Sequence, residues 1–452
     1  MTGRTTEEIV TAFNRLCRES PQLRATAAGL AAGSYRHDGD RAALLARPVF
    51  APLAGMRSFA TDLLATLEVA AQLPGRLFDG DVERYCEVLG MDRRRVSLLN
   101  RLGTVPTLYG RADAYHDGTR FRLLETGLTP AVGASEFTEI NTRRWLATPG
   151  VGPFARAHGI GFASAPEAVA RQLRRAHHAL RPGHDPVVVI AEGPGGLKEF
   201  GHAWYPVRSV LRGHGLDCRV AELGDFSLGR DGLRLRTGSG EVRVDVVFRC
   251  FSSSQVLAHP DGPAMLEDVV RAHEEGLAIL FSSLNTELYA DKGCMALLSD
   301  PRWQGADPAE RQVIDRILPW TRLLSRHGGP EQAGLLDECR ARRTELILKP
   351  TATYGGHGVV AGWECDEKRW DEALTRAAAG HAVVQERVVP VPELVYDPRS
   401  DREEPWDIVH GIFYGSDGYA GSFARALPSG TNAVINLTTD KNTRLSAVLH
   451  HD

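Results

Sequence analysis

The sequence predicts a mixed α/β protein built in several layers. Three features point there: a first hundred residues with apolar positions at helical spacing, a central stretch where short apolar strands alternate with helices, and a strand-rich last hundred. At 452 residues the chain has room for roughly two to four domains, or for one large body with insertions.

Residues 1–104 read as a helical N-terminal region, with apolar residues recurring every three or four positions in Phe59–Leu73 and Val82–Leu99. The pattern changes at 105. Leu108–Tyr115 and Arg120–Glu125 read as two short strands, and the intervening His116-Asp117-Gly118 holds the Asp-Gly pair that favours a hairpin turn. Residues 135–180 return to helical spacing and stop at Arg181-Pro182-Gly183, which closes a unit at 105–183. A third unit, 184–290, opens on the buried-strand run Pro186–Ala191. It continues with a helix at Phe200–Gly213, strands at Cys218–Leu223 and Val244–Arg249, and a hairpin around Leu233–Val244. Such alternation predicts a small, mostly parallel sheet. Residues 263–345 read as mainly helical, broken at Asp300-Pro301 and Gly328-Gly329-Pro330. The final unit, 291–452, turns strand-rich after that, with a polar loop at Pro390–Pro405.

Composition narrows the function classes. A net charge of −4 argues against a nucleic-acid-binding surface. No apolar run approaches the roughly 18 residues of a membrane span, and the first residues lack a secretory layout. Seven scattered cysteines without Cys-x-x-Cys spacing suit reduced thiols in a cytoplasmic protein and give no zinc motif. His177-His178 and His450-His451 lack ligand-type companions at useful spacing and are expected on the surface.

The strongest chemical signal is Leu346-Ile-Leu-Lys-Pro-Thr-Ala-Thr-Tyr-Gly-Gly-His-Gly-Val-Val360. An apolar strand delivers Lys349, and a loop with Gly355, Gly356 and Gly358 follows. Glycines let backbone N–H groups close on an anion, and a lysine adds a point charge, so the stretch reads as a phosphate clamp. The order is not that of a Walker loop, because the lysine precedes the glycines. Upstream, Arg111 and Asp113 alternate onto one face of the first hairpin strand, and Glu125 ends its partner. Two carboxylates on adjacent strands suit Mg²⁺ carried by triphosphate oxygens; a plain surface hairpin with an Arg–Asp pair is the alternative.

The run Tyr109-Gly-Arg-Ala-Asp-Ala-Tyr-His-Asp-Gly-Thr-Arg-Phe-Arg-Leu-Leu-Glu-Thr-Gly-Leu-Thr-Pro130 resembles the metal-binding hairpin of glutathionylspermidine synthase-like proteins, a circularly permuted ATP-grasp group. The resemblance runs from about residue 105 to the carboxyl end, and it implies that the carboxylates precede the phosphate loop. It implies Asp113 and Glu125 as magnesium ligands, Lys292 in Asn285-Thr-Glu-Leu-Tyr-Ala-Asp-Lys-Gly293 and Lys349 as phosphate ligands, and Tyr354, Gly355, Gly356, His357 and Gly358 as the covering loop. Arg425 in Tyr419-Ala-Gly-Ser-Phe-Ala-Arg425 and Arg111 would face the transferred phosphoryl. Gln385 and Glu386, ending Ala382–Val389, would meet adenine. Two positions depart from the family pattern: Gly127 stands where a third, asparagine metal ligand is expected, and Tyr354 where the loop carries arginine. A water or backbone oxygen is expected to complete the magnesium shell in place of that asparagine, and Glu139-Ile-Asn141, in a helix-like run, is read as a decoy.

The expected activity is an ATP- and Mg²⁺-dependent carboxylate–amine ligase that forms an amide through an acylphosphate. Its substrates would be small-molecule or short-peptide acids and amines. A nucleotide-binding relative without turnover and a small-molecule phosphotransferase are the alternatives. Substrate candidates are Thr129 and Ser135 beside the hairpin, with Arg249 and Ser252 at a strand end, where α/β sheets place ligand loops. Arg249 equally reads as the structural partner of a neighbouring acid. Cys250 has no nearby histidine to make it a nucleophile.

Overall fold

The computed structural model describes residues 5–32, 35–37, 40–302, 306–351 and 355–452. Tyr354 therefore lies outside the described residues.

The central sheet runs in the order Val49–Pro52, Arg444–His451, Gly418–Pro428, Arg402–Gly415, Tyr109–His116, Phe121–Gly127. A seventh strand, Glu393–Asp397, pairs with the first residues of Arg402–Gly415. All pairings are antiparallel except the outermost, where Val49–Pro52 runs parallel to Arg444–His451. The first hundred residues are thus not helical throughout, because four of them extend a sheet whose other strands come from far along the chain. A four-residue strand lies below what periodicity detects. Helix Leu53–Phe78 follows it at once and lies against the sheet, with Phe59 edge-on to Phe121 at 6.0 Å.

The hairpin turn forms as its residues dictate. Gly118 takes a φ of +97°, and the Asp117 carboxylate accepts from the N–H groups of Thr119 and Arg120.

A second, antiparallel sheet orders Thr321–Ser325, His381–Glu386, Leu346–Pro350 and Val360–Ala361, with helix Glu367–Ala378 packing Trp370 beneath it. The third sheet is wholly parallel: Ile279–Phe281, Val246–Arg249, Val187–Glu192, Asp217–Glu222. That is the small parallel sheet the strand–helix alternation predicts. The hairpin expected around Leu233–Val244 is one edge of a three-stranded sheet that also includes Phe226–Gly229. Two strands, Ile279–Phe281 and Thr321–Ser325, interrupt the stretch expected to be helical, and Glu393–Asp397 forms inside the expected Pro390–Pro405 loop. The mixed α/β architecture stands. Among the described residues no helix is long and apolar enough to cross a membrane, and all seven cysteines are free.

Candidate active site

A cleft of about 380 Å³ opens between the central sheet and the second sheet, within the range of small-ligand sites. Five separate parts of the chain meet in it: the 109–127 hairpin, the start of helix Lys292–Ser299, the strands bearing Lys349 and Gln385 with their flanking loops, strand Arg402–Gly415, and the end of strand Gly418–Pro428 with the segment that follows it.

Asp113 and Glu125 stand directly opposite each other on the hairpin, and both line the cleft. Asp113 is buried. Arg111 Nε donates to its Oδ1 at 3.1 Å, and an Arg425 terminal nitrogen donates to Oδ2. Burial alone would raise this carboxyl's pKa, but the two guanidinium groups outweigh it and hold the pKa below the usual range. Strand Arg402–Gly415 separates the strands that carry Asp113 and Arg425, with Asp113 opposite Gly411 and Arg425 opposite Val409, so their side chains meet across that strand. A Cβ on Gly411 would lie 2.5 Å from the Phe423 ring and 3.1 Å from Arg111 Cδ. Glycine is what lets Arg111 lie across this strand, its guanidinium 5.3 Å from the centre of the Phe423 ring.

Lys349 is buried. Its Nζ donates to the Leu124 carbonyl at 3.0 Å and to Gln385 Oε1 at 2.7 Å, and Gln385 in turn donates to Thr321. Burial pushes its pKa down to about 8, with Glu125 and Asp113 opposing that shift and Lys292 adding to it. Lys292 opens an eight-residue helix capped by Asp291, which accepts from Gly293 N–H at 2.7 Å, and Lys292 Nζ lies 3.4 Å from Glu125. Other residues of its segment are scaffold. Asn285 donates to the carbonyls of Leu102, Gly103 and Val105, and Tyr289 donates to that of Thr104. The segment is thereby pinned so that Lys292 reaches the cleft.

Gly355, Gly356 and Gly358 all adopt positive φ, between 69° and 79°, which a residue with a side chain rarely takes. Gly356 lines the cleft, and Thr438 Oγ1 donates to the Gly355 carbonyl at 2.8 Å. His357 is exposed and does not line the cleft. Gln385 and Glu386 do, beside an apolar wall of Ile347, Val388 and Trp363.

Arg425 is buried, and its Nε has no hydrogen-bond partner. A buried cation with an idle donor at a cleft wall is what an arriving anion would satisfy. The donor set also fits magnesium. Asp113 and Glu125 offer hard oxygen atoms side by side, and a carboxylate that accepts two bonds keeps lone pairs for an ion.

The likeness to known proteins is one of shape. The fold is that of ATP-grasp-like synthetases. A glutathione synthetase-like effector from Globodera pallida superposes with a TM-score of 0.57 at 12% identity over 98% of both chains. A putative gamma-glutamylcysteine synthetase from Methylobacillus flagellatus matches 85% of this chain and 87% of its own at 13% identity, with a TM-score of 0.44 that is too low to build on. No protein-family model matches the chain, and no curated protein sequence is significantly similar.

Several expected site residues sit elsewhere on this ATP-grasp-like frame. Arg111 lies behind Asp113, also donating to the carbonyls of Val132 and Gly133, and does not line the cleft. Arg249 is fully buried. It donates to the Ser282 and Phe251 carbonyls, both at 2.7 Å, and to Ser282 Oγ, Thr286 Oγ1 and Glu287. Its donors are committed within the protein, so it is a structural arginine and not a substrate ligand. Ser252 caps helix Ser253–Ala258, and Thr129 caps the short turn Pro130–Val132. Neither they nor Ser135 line the cleft. Glu139 and Asn141 are on helix Phe137–Ala147, off the hairpin as expected, with Glu139 bound to Ser164, His214 and Arg143.

Gly127 is closed to any side chain. A Cβ there would meet Val132 Cγ1 at 2.4 Å, so an asparagine has no space. Sequence reading missed the cleft residues Tyr115, Trp363, Arg387, Asp407, Asn432 and Asn436. Asp407 carried a usable signal, since it shares the face of Val409 two residues on. The two asparagines lie between strands, where no period marks them.

Proposed function

We propose that the protein is an ATP-dependent carboxylate–amine ligase. The observation that carries this reading is the convergence of Asp113, Glu125, Lys292, Lys349 and Arg425 on one cleft from segments as far as 312 residues apart. The cavity, of nucleotide size, is lined by four cations and five carboxylates, and the cluster of Lys292, Lys349 and Arg425 around the Asp113–Glu125 pair suits a polyphosphate and its cation.

Asp113 and Glu125 are the magnesium ligands in this proposal, and the ion when bound would neutralise phosphate charge. Lys292 and Lys349 hold the phosphates, and the loop containing Gly356 lies over them. Trp363, Val388 and Ile347 form the apolar slot for adenine, with Gln385 holding Lys349 in place at its end. Arg425 uses its idle Nε on the transferred phosphoryl and the acylphosphate oxygens, while Arg111 acts through Asp113 by fixing the carboxylate's position. Phosphoryl transfer asks mainly for such positioning and charge neutralisation, and no dedicated base is needed to describe it. The amine then attacks the acylphosphate carbonyl, forming the amide and releasing phosphate. In this reading the chain is a circular permutant of the ATP-grasp order and works on small acids and amines.

The deciding measurement is product analysis with Mg-ATP and panels of acids and amines. ADP and phosphate released in step with an amide support the proposal. Phosphate retained on the product would make the protein a phosphotransferase. Thermal stabilisation by ATP with no ADP formed from any pair would leave it a binding protein.

A further inference from the structure

A second polar cluster lies away from the cleft, where helix Ala165–Leu180 ends against the parallel sheet. His177, in the last turn of that helix, is completely buried, and neither ring nitrogen has a hydrogen-bond partner. It was expected on the surface because no companion is near in sequence; the companions arrive through the fold. The chain turns at 181–186 and brings the exposed His184 ring to 4.9 Å from that of His177. Asp245, immediately before strand Val246–Arg249, completes the group. Its Oδ2 accepts from Val187 N–H at 3.0 Å, while its Oδ1 has no hydrogen-bond partner. One ligand-type atom from each residue lies within 4.8 Å of the other two.

Two buried imidazole nitrogens and a buried carboxylate oxygen without partners are costly to keep in a folded protein. Two arginines stand at the rim. Arg243 Nε is 3.7 Å and Arg181 NH1 3.9 Å from Asp245 Oδ1, too far for hydrogen bonds. They offset the carboxylate's charge without occupying its lone pairs; Arg243 is exposed enough to turn toward water, whereas Arg181 NH1 is buried and has no hydrogen-bond partner. His184 contacts the Asp185 carbonyl through Nδ1 at 3.0 Å; a carbonyl only accepts, so that nitrogen carries the proton and Nε2 is left for an ion.

We propose that His177, His184 and Asp245 form a divalent transition-metal site of the zinc class, with water as the fourth ligand. Two imidazoles with one carboxylate select zinc-like ions over magnesium, which prefers oxygen. The site is structural: it clasps the end of helix Ala165–Leu180 to the parallel sheet, and none of its three residues lines the nucleotide cleft. It stands or falls independently of the ligase reading.

Titration of the metal-free full chain with Co²⁺, followed by displacement with Zn²⁺, tests this. One equivalent of Co²⁺ with the visible bands of a four-coordinate ion is expected, and Zn²⁺ should abolish the bands and raise the unfolding midpoint. H184A changes an exposed residue and should fold normally, yet lose the bands and bind Zn²⁺ at least about tenfold more weakly. H178A, altering the neighbouring ring, should behave as wild type. The proposal is overturned if wild type takes up no ion at sub-millimolar concentration, or if H184A binds with the wild-type spectrum and affinity.

Discussion

Arg425 reaches over the strand that separates it from Asp113 and donates to that carboxylate, leaving its own Nε without a partner. One terminal nitrogen of the guanidinium is thus anchored, while the buried Nε keeps an uncommitted donor in a residue that lines the cleft. If that donor serves the transferred phosphoryl, R425M should lower kcat about 100- to 1,000-fold, the usual cost of removing one transition-state donor. ADP affinity should change only a few-fold. Steady-state rates beside ADP titrations decide it; equal losses in both would make Arg425 a binding residue only.

The Gly127 position yields a prediction that runs against simple family logic. Restoring the expected asparagine with G127N should not add a metal ligand, because the new Cβ collides with Val132. Overpacking of this kind costs about 1–3 kcal/mol, readable as a lower urea midpoint. V132A in the same chain should recover most of that loss. E125Q, in contrast, should leave the midpoint nearly unchanged and remove the enhancement of ADP binding by Mg²⁺, whereas D113N also strands the buried Arg111 and Arg425 and should lower the midpoint as well. A G127N chain as stable as wild type would show that the hairpin relaxes and that the third ligand position is open.

What the sequence discloses here depends on how local each cause is. The hairpin with Asp113 and Glu125 was readable because the Asp117-Gly118 turn and strand alternation lie within twenty residues. The three loop glycines were readable because their positive φ is a property of the backbone itself. Arg249 was not. Whether it meets a ligand or a protein carbonyl depends on Ser282, Thr286 and Glu287, more than thirty residues away and joined to it only by the fold. His450 and His451 show the same limit. Expected on the surface, they are buried on a sheet strand, where His450 meets Tyr419 and His451 meets Thr6. Val132 closing position 127 is a fact of side-chain volume that no motif records.

The buried environment of Arg249 makes its role separable from that of a substrate ligand. R249M removes one of the two arginines paired with Glu287, Arg95 remaining at 3.2 Å, and strips the buried Ser282, Phe251 and Thr286 oxygens of their donor, each such loss costing about 1–3 kcal/mol. A large drop in the unfolding midpoint is expected, with nucleotide affinity unchanged in whatever fraction remains folded. A stable R249M protein with raised KM for the acid would return Arg249 to the substrate set.

Lys349 supplies a pH dependence whose sign follows from its surroundings. Burial depresses its pKa to about 8 in the free protein, so above that pH the folded chain carries it neutral. A polyphosphate favours the charged form and draws the pKa back up, so binding above about pH 8 must take up a proton. ADP affinity should therefore be nearly constant below that value and fall as pH rises through it, by up to about tenfold per pH unit from this one group. Isothermal titrations in buffers of different ionisation enthalpy should register the proton uptake directly. K349M should bind ADP more weakly at neutral pH, and its affinity should no longer fall as pH passes about 8. A wild-type affinity that stays level across that interval, or a K349M profile parallel to it, would place the nucleotide phosphates away from Lys349 and with them the glycine loop's role as their cover.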